Sequence, residues 1–142
     1  MSKLHVSRFT IEFGDCDPAG IVFFPRYFAM FDSCTTALFC EALGMNKYQF
    51  LKHYDFHGYP MVDTRAKFLK PAKFGDDVVI ETRIAEFRRS SFDVHHRLTL
   101  GGALCVECFD TRVWVARASA DDPDSIKAKR IPPEVIAKLT GR

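Results

Sequence analysis

The sequence predicts an α+β protein in which one long helix is followed by a run of antiparallel strands. Three observations carry this. Phe92, Val94, His96, Leu98 and Leu100 alternate with Asp93, His95, Arg97 and Thr99, the period of two of a strand with one buried face. Gly101-Gly102 comes next and leads into a second strand-like stretch at 103–116, which makes a hairpin. Residues 25–43 carry helix punctuation, with Pro25 at the opening and Gly44 just past the end.

The remaining elements follow in order. Phe9, Ile11 and Phe13 alternate with Arg8, Thr10 and Glu12 and predict a half-buried strand. On the long helix, Phe28, Phe31, Thr35, Leu38 and Ala42 share a face. Met30, Cys34, Ala37 and Phe39 widen that face until the helix is buried on most sides. A short helix is expected over 46–54, capped by Asn46. Residues 59–69 form a strand stopped by Lys70-Pro71, and 77–87 form a long strand rich in β-branched side chains. Residues 119–129 are polar and charged and read as a loop, and 132–139 make a short helix opened by proline. Hairpins can join the last four strands, with the helix covering one face of their sheet. No repeat or linker divides the chain, so residues 1–142 are expected to be one domain with its core within 5–118.

Composition narrows the function. With 142 residues the chain can bury one real core. Hydrophobic residues at 47% and charged residues at 27% exclude a disordered chain and a membrane protein. No apolar run approaches the roughly 20 residues of a membrane helix. The first residues lack the apolar core of a signal peptide, so a cytoplasmic protein is expected. A net charge of +2 gives no argument for nucleic acid. Fourteen phenylalanines point to an aromatic-rich core or pocket.

Five cysteines, an odd number, predict reduced thiols. Cys105 and Cys108 form a lone C-x-x-C in a strand, where positions three apart face opposite sides. They are therefore expected to pack rather than share a metal. His95 and His96 are separated across the strand in the same way. No metal site and no cofactor are called for.

The chemistry concentrates in residues 13–27, which place two carboxylates, two glycines and two prolines between a strand and a helix. Helix starts present unpaired N–H groups and about half a unit of positive charge. A carboxylate beside such a start is what acyl transfer needs. Val22, Phe23 and Phe24 have no side chain that caps a helix, which leaves the N–H groups around Phe24 and Pro25 for a ligand oxygen. Pro25 itself has none. Cys16 lacks a nearby histidine to activate it, so Asp17 is the better candidate. Taken alone, Asp15 and Asp17 read first as bracing the turn or the helix dipole, since Asp is common in turns.

The same run resembles the signature of the hotdog-fold 4-hydroxybenzoyl-CoA thioesterase family. The resemblance spans about residues 5–118. It implies a curved five-stranded antiparallel sheet wrapped around a long central helix. The implied activity is hydrolysis of an acyl-CoA thioester, with an aromatic acyl group such as 4-hydroxybenzoyl first in line. It makes Asp17, which precedes Pro-x-Gly, the catalytic carboxylate, as nucleophile or general base, and leaves Asp15 structural. The helix start at Phe24 becomes the oxyanion site.

Tyr27 and Asp32 fall where the family has an aromatic residue and an acid, and Gly58-Tyr-Pro-Met-Val62 is similar to its Gly-x-Pro-Ile-Val strand. Tyr27, Asp32 and Pro60 are accordingly expected at the substrate. Asp32 also reads as a surface residue or a dimer contact. Glu86-Phe-Arg-Arg-Ser-Ser-Phe92 is similar to a basic turn that holds coenzyme A phosphates, which implicates Arg88, Arg89 and Ser91. Guanidinium groups suit phosphate by charge and paired hydrogen bonds. Ser90 replaces a lysine of the family, a loss that Lys70, Lys73 or Arg117 could offset. Residues 63–72 look more like broader hotdog acyl-CoA thioesterases. Asp63 reads as strand surface or pocket carboxylate, and His57 as pocket partner or turn residue.

The resemblance also implies a homodimer or homotetramer with the site at an interface, an acyl-CoA partner, and neither nucleic acid nor membrane. Two other readings stand beside it. One is a thioesterase for aliphatic acyl-CoA or acyl-carrier protein. The other is a hotdog module that binds acyl-CoA without turnover. Hotdog hydratases resemble a histidine-based motif that this chain lacks.

Overall fold

The computed structural model describes residues 2–141. It contains β1 (His5–Thr10), α1 (Pro25–Leu43), α2 (Lys47–His53), β2 (Met61–Phe68), β3 (Asp77–Phe87), β4 (Ser91–Leu100), β5 (Ala103–Val113), β6 (Val115–Ser119), β7 (Asp122–Ala128) and α3 (Pro133–Thr140). Five strands form one antiparallel sheet in the order β1-β3-β4-β5-β2, curved around α1. The expected α+β hotdog architecture is therefore what the chain adopts.

Local chemistry sets the boundaries. Pro25 sits at the first helical position of α1, and Gly44 closes it at φ 69°, a left-handed conformation that glycine adopts without a Cβ penalty. Asn46 caps α2 by accepting from the Gln49 N–H at 2.9 Å, and the Gln49 side chain returns the bond to the Asn46 N–H at 2.8 Å. Gly101 and Gly102 both have positive φ, which fits the tight turn joining Leu100 to Ala103.

The core has two apolar clusters. One gathers Phe39, Phe50, Phe56, Phe92, Trp114 and Leu139 near the end of α1. The other gathers Ile11, Val22, Tyr27, Phe31, Ile80 and Val106 near its start. Between the ends runs a buried polar seam of Thr35, Thr82, His96, Asp110 and Arg112.

Three expectations are corrected. Residues 119–129 are largely strand, because β6 and β7 pair as a separate antiparallel hairpin. Both its faces are mostly exposed, so no apolar alternation marks it. The first strand ends at Thr10, and Phe13 opens a single 3-10 turn with its ring 79% exposed. Cys105 and Cys108 are both buried in the same cluster. Leu98 pairs with Val106 while Thr99 pairs with Leu104, so Cys105 is an extra residue in a β-bulge. The bulge resets the alternation that would have put the two thiols on opposite faces. Among the described residues, no helix is long and apolar enough to cross a membrane.

Candidate active site

The 13–27 run folds as a tight hairpin pinned against the β2–β3 connection. Cys16 bridges to Val22, Ile21 bridges to Lys73, and the Phe23 N–H donates to the Asp15 carbonyl at 2.8 Å. The Asp15 carboxylate is spent on the Glu12 N–H, a bracing role. The hairpin tip closes when the Gly20 N–H donates to the Asp17 carbonyl at 2.9 Å, with Pro18 preset for the turn and Gly20 at φ 83°. The Asp17 carboxylate is partly exposed. Its Oδ1 accepts from the Ala19 N–H at 2.9 Å, and Oδ2 takes no hydrogen bond from the described residues. One carboxylate oxygen is thus held and the other has no hydrogen-bond partner among the described residues.

The helix start is as bare as the sequence suggested. No side chain caps α1. The Arg26 and Tyr27 N–H groups donate to the Phe23 and Phe24 carbonyls at 2.8 and 3.1 Å. Pro25 has no N–H. The Phe24 N–H forms no hydrogen bond among the described residues, which leaves it as an unspent donor at the positive end of α1.

Tyr27 is 3% exposed and its hydroxyl accepts from the Ala72 N–H at 3.1 Å. The Ala72 carbonyl in turn accepts from the Val22 N–H at 2.9 Å, so Tyr27 ties the helix start to the hairpin. Burial raises the Tyr27 hydroxyl above its usual pKa. Around this point Phe24, Tyr27 and Phe28 all approach Phe68 of β2, with ring centroids 6.4, 5.9 and 6.3 Å away. Phe23, Phe24 and Phe68 remain half exposed and form an open aromatic wall.

Asp32 lies about two turns along α1 and pairs with Arg112, which sequence reasoning missed. Arg112 is buried, donates to the Tyr59 carbonyl at 3.2 Å and stands over the Tyr59 ring. The signal was present: Cys108, Asp110 and Arg112 fall on the inward face of a period-two strand, an unusual place for charge. Burial pushes the Tyr59 hydroxyl up to about 12, so it stays protonated. Pro60 is exposed at the start of β2, and its carbonyl accepts from the Val113 N–H. Asp63 is exposed beside a bulge.

The basic turn lies at the other end of the fold. Arg88 donates from Nε to Ser91 Oγ at 2.8 Å and from its two terminal nitrogens to Glu86 and Asp93 at 2.7–3.0 Å. The guanidinium hydrogen bond, outweighing partial burial, holds the Asp93 carboxyl below its usual range. Arg89 instead opens onto a cleft of about 810 Å³, which Arg117, Lys127, Arg130 and His57 also line. Lys129 lines it too, but its amine is committed to the Tyr54 and Asp55 carbonyls. Lys70 and Lys73 are not part of this cleft. The hairpin β6–β7, read as a loop from sequence, supplies Arg117 and Lys127.

A curved sheet around one helix, with a free carboxylate at a hairpin tip and an unspent N–H at the helix start, defines a hotdog thioester hydrolase. The chain belongs to the thioesterase-like superfamily, whose family model matches residues 11–139. It is 36% identical over 132 residues to the 4-hydroxybenzoyl-CoA thioesterase of Pseudomonas sp. (strain CBS-3), covering 89% of this chain and 90% of that one. A crystal structure of 4-hydroxybenzoyl-CoA thioesterase mutant D17N complexed with 4-hydroxybenzoyl-CoA superposes with a TM-score of 0.85 at 30% identity, over 96% of this chain and 99% of the other. A gentisyl-coenzyme A thioesterase gives 0.78 at 30% identity, over 93% and 99%.

Proposed function

We propose that the protein hydrolyses an aromatic acyl-CoA thioester, with 4-hydroxybenzoyl-CoA the first candidate substrate. The observation that carries this is a hairpin that leaves Asp17 Oδ2 free and leads directly into a helix start whose Phe24 N–H is unspent. The Phe24 N–H receives the thioester oxygen as negative charge develops on it. Asp17 attacks the carbonyl carbon or takes a proton from the attacking water. The thiolate leaves without an acid, because a thiol has a pKa of about 8.5. The open wall of Phe23, Phe24 and Phe68 suits a flat acyl group, and the two relatives at 30% identity are named for hydroxylated aromatic acyl-CoA esters.

The carrier end fits the basic cleft. Arg89, Arg117, Lys127 and Arg130 offer charge-assisted hydrogen bonds to phosphate, with Ser91 beside them at the turn. Asp17 sits by the start of α1 and the cleft beyond its far end, so one coenzyme A is best placed across two subunits. The edge strand β2 supplies the means. Its whole length is largely exposed, and Val62, Phe68 and Leu69 are 59%, 50% and 60% exposed. Antiparallel pairing of two β2 edges sets the Phe68 end of one subunit, with its aromatic wall, against the Met61 end of the other. A homodimer, or a tetramer built from it, is therefore the proposed assembly. A cytoplasmic setting fits five free thiols.

Thiol release from aromatic and aliphatic CoA esters and from an acyl-carrier protein tests the reading. Fastest turnover is expected with hydroxylated benzoyl esters. Preference for aliphatic or protein-bound acyl groups would move the substrate, and saturable binding without thiol release would remove the activity.

A further inference from the structure

We infer that Tyr27 is a positioning residue for the proposed hydrolysis: its buried hydroxyl clamps the hairpin that carries Asp17 to the helix start that carries the Phe24 N–H. The role rests on the acyl-CoA reading above. Asp17 and Phe24 belong to different elements, the tip of the 16–22 hairpin and the N-cap of α1. A thioester carbonyl has to meet both at once, so the gap between them must be fixed.

A closed circuit of backbone contacts fixes it. On the hairpin, the Asp17 N–H donates to the Ile21 carbonyl at 2.9 Å. Ile21 bridges to Lys73, and the Val22 N–H donates to the Ala72 carbonyl at 2.9 Å. The Ala72 N–H then donates to the Tyr27 hydroxyl at 3.1 Å. Tyr27 is the third residue of α1, and its own N–H returns to the Phe24 carbonyl at 3.1 Å. Ala72 thus spends both backbone groups on the clamp, the carbonyl on the hairpin and the N–H on the helix. It is fully buried and Tyr27 nearly so, which keeps water from standing in for the hydroxyl. The bond from the Phe23 N–H to the Asp15 carbonyl is a separate tie between hairpin and helix start. One tie leaves a pivot, and a second point of attachment removes it. The Tyr27 ring packs near Phe68, with centroids 5.9 Å apart, while the oxygen is committed to Ala72. The hydroxyl therefore acts on the reaction through the backbone it holds, without touching the acyl group.

The test is Tyr27→Phe, which removes the clamp and keeps the ring, assayed by thiol release from 4-hydroxybenzoyl-CoA at a temperature where every variant is folded. Its kcat is expected to fall about tenfold with KM unchanged, as a small misplacement of reacting groups predicts. Thr82→Val deletes another buried hydroxyl, the one bonded to His96, and should keep kcat. The double variant Tyr27→Phe/Asp17→Asn should be no slower than Asp17→Asn, because the clamp matters only while Asp17 acts. An unchanged kcat in Tyr27→Phe, a change in KM alone, an equal loss in Thr82→Val or additive losses in the double variant would each overturn the inference. Amide hydrogen exchange of the wild-type protein carries the test if Tyr27→Phe does not fold. The Asp17, Val22 and Ala72 amides should then open together, with protection equal to within about threefold. Protection of Asp17 far below that of Ala72 would overturn the clamp. Failure of the wild-type protein to cleave any thioester would count against the acyl-CoA reading instead, and the same exchange measurement would still decide the clamp.

Discussion

His96 and Asp110 are buried polar residues at the centre of the seam, and each is held by side-chain hydrogen bonds. The neutral imidazole accepts from Thr82 at 2.8 Å on Nδ1 and donates from Nε2 to Asp110 at 3.2 Å. Asp110 also accepts from Thr64 at 2.6 Å and from the Cys108 thiol at 3.3 Å. Phe31 of α1 stacks on the ring at 4.8 Å. Burial lowers the His96 pKa more than Asp110 raises it. Burial tends to raise the Asp110 pKa, but hydrogen bonds led by His96 and Thr64 bring it below the usual carboxylate value. The unfolded chain thus binds the extra proton at His96 below its ordinary pKa of about 6.5. Stability is fully present above that value and falls as pH drops below it. The melting temperature is expected to decline from pH 7 to 5, and His96→Asn should flatten that decline. An equal slope in the variant would contradict the assignment. The inward position of His96 was legible from the period of two in β4. Its partner was not, because the register with β5 depends on the Gly101-Gly102 turn and the bulge at Cys105.

At the scale of elements, the turn and the edge strand are the sensitive places. Gly102 has φ 83°, and a Cβ added there would meet nothing within 4 Å. Gly102→Val therefore carries a pure backbone cost, about 1–2 kcal/mol of stability by chemical denaturation. A larger loss would point to packing at that turn. The edge strand β2 is expected to pair with a second copy, and Val62→Lys places a charge on that edge. Light scattering should show a shift toward monomer together with reduced turnover. An unaltered assembly would place the interface elsewhere. Helices were readable because caps are local: Pro25, Gly44 and Asn46 mark their ends unaided. The hairpin β6–β7 was not, since a strand exposed on both faces carries no hydrophobic period.

For the whole molecule, the proposed function draws on two ends of one fold. The reacting end was legible as a motif, because the hairpin, Asp17 and the bare helix start are contiguous in sequence. The basic cleft was only half legible. Arg89 and Arg117 were in view, but Lys127 and Arg130 reach the cleft through a hairpin and a return of the chain that no local pattern announces. The alternation of β5 marked Arg112 as an inward charge, but its pairing with Asp32 became visible only once β5 was laid beneath α1. The central claim remains the role of Asp17, and the most direct measurement is thiol release from 4-hydroxybenzoyl-CoA by wild type and Asp17→Asn in parallel. Asp17→Asn should fold normally and bind the ester, and lose turnover by about 10²–10⁴-fold. Full activity in that variant would contradict the account.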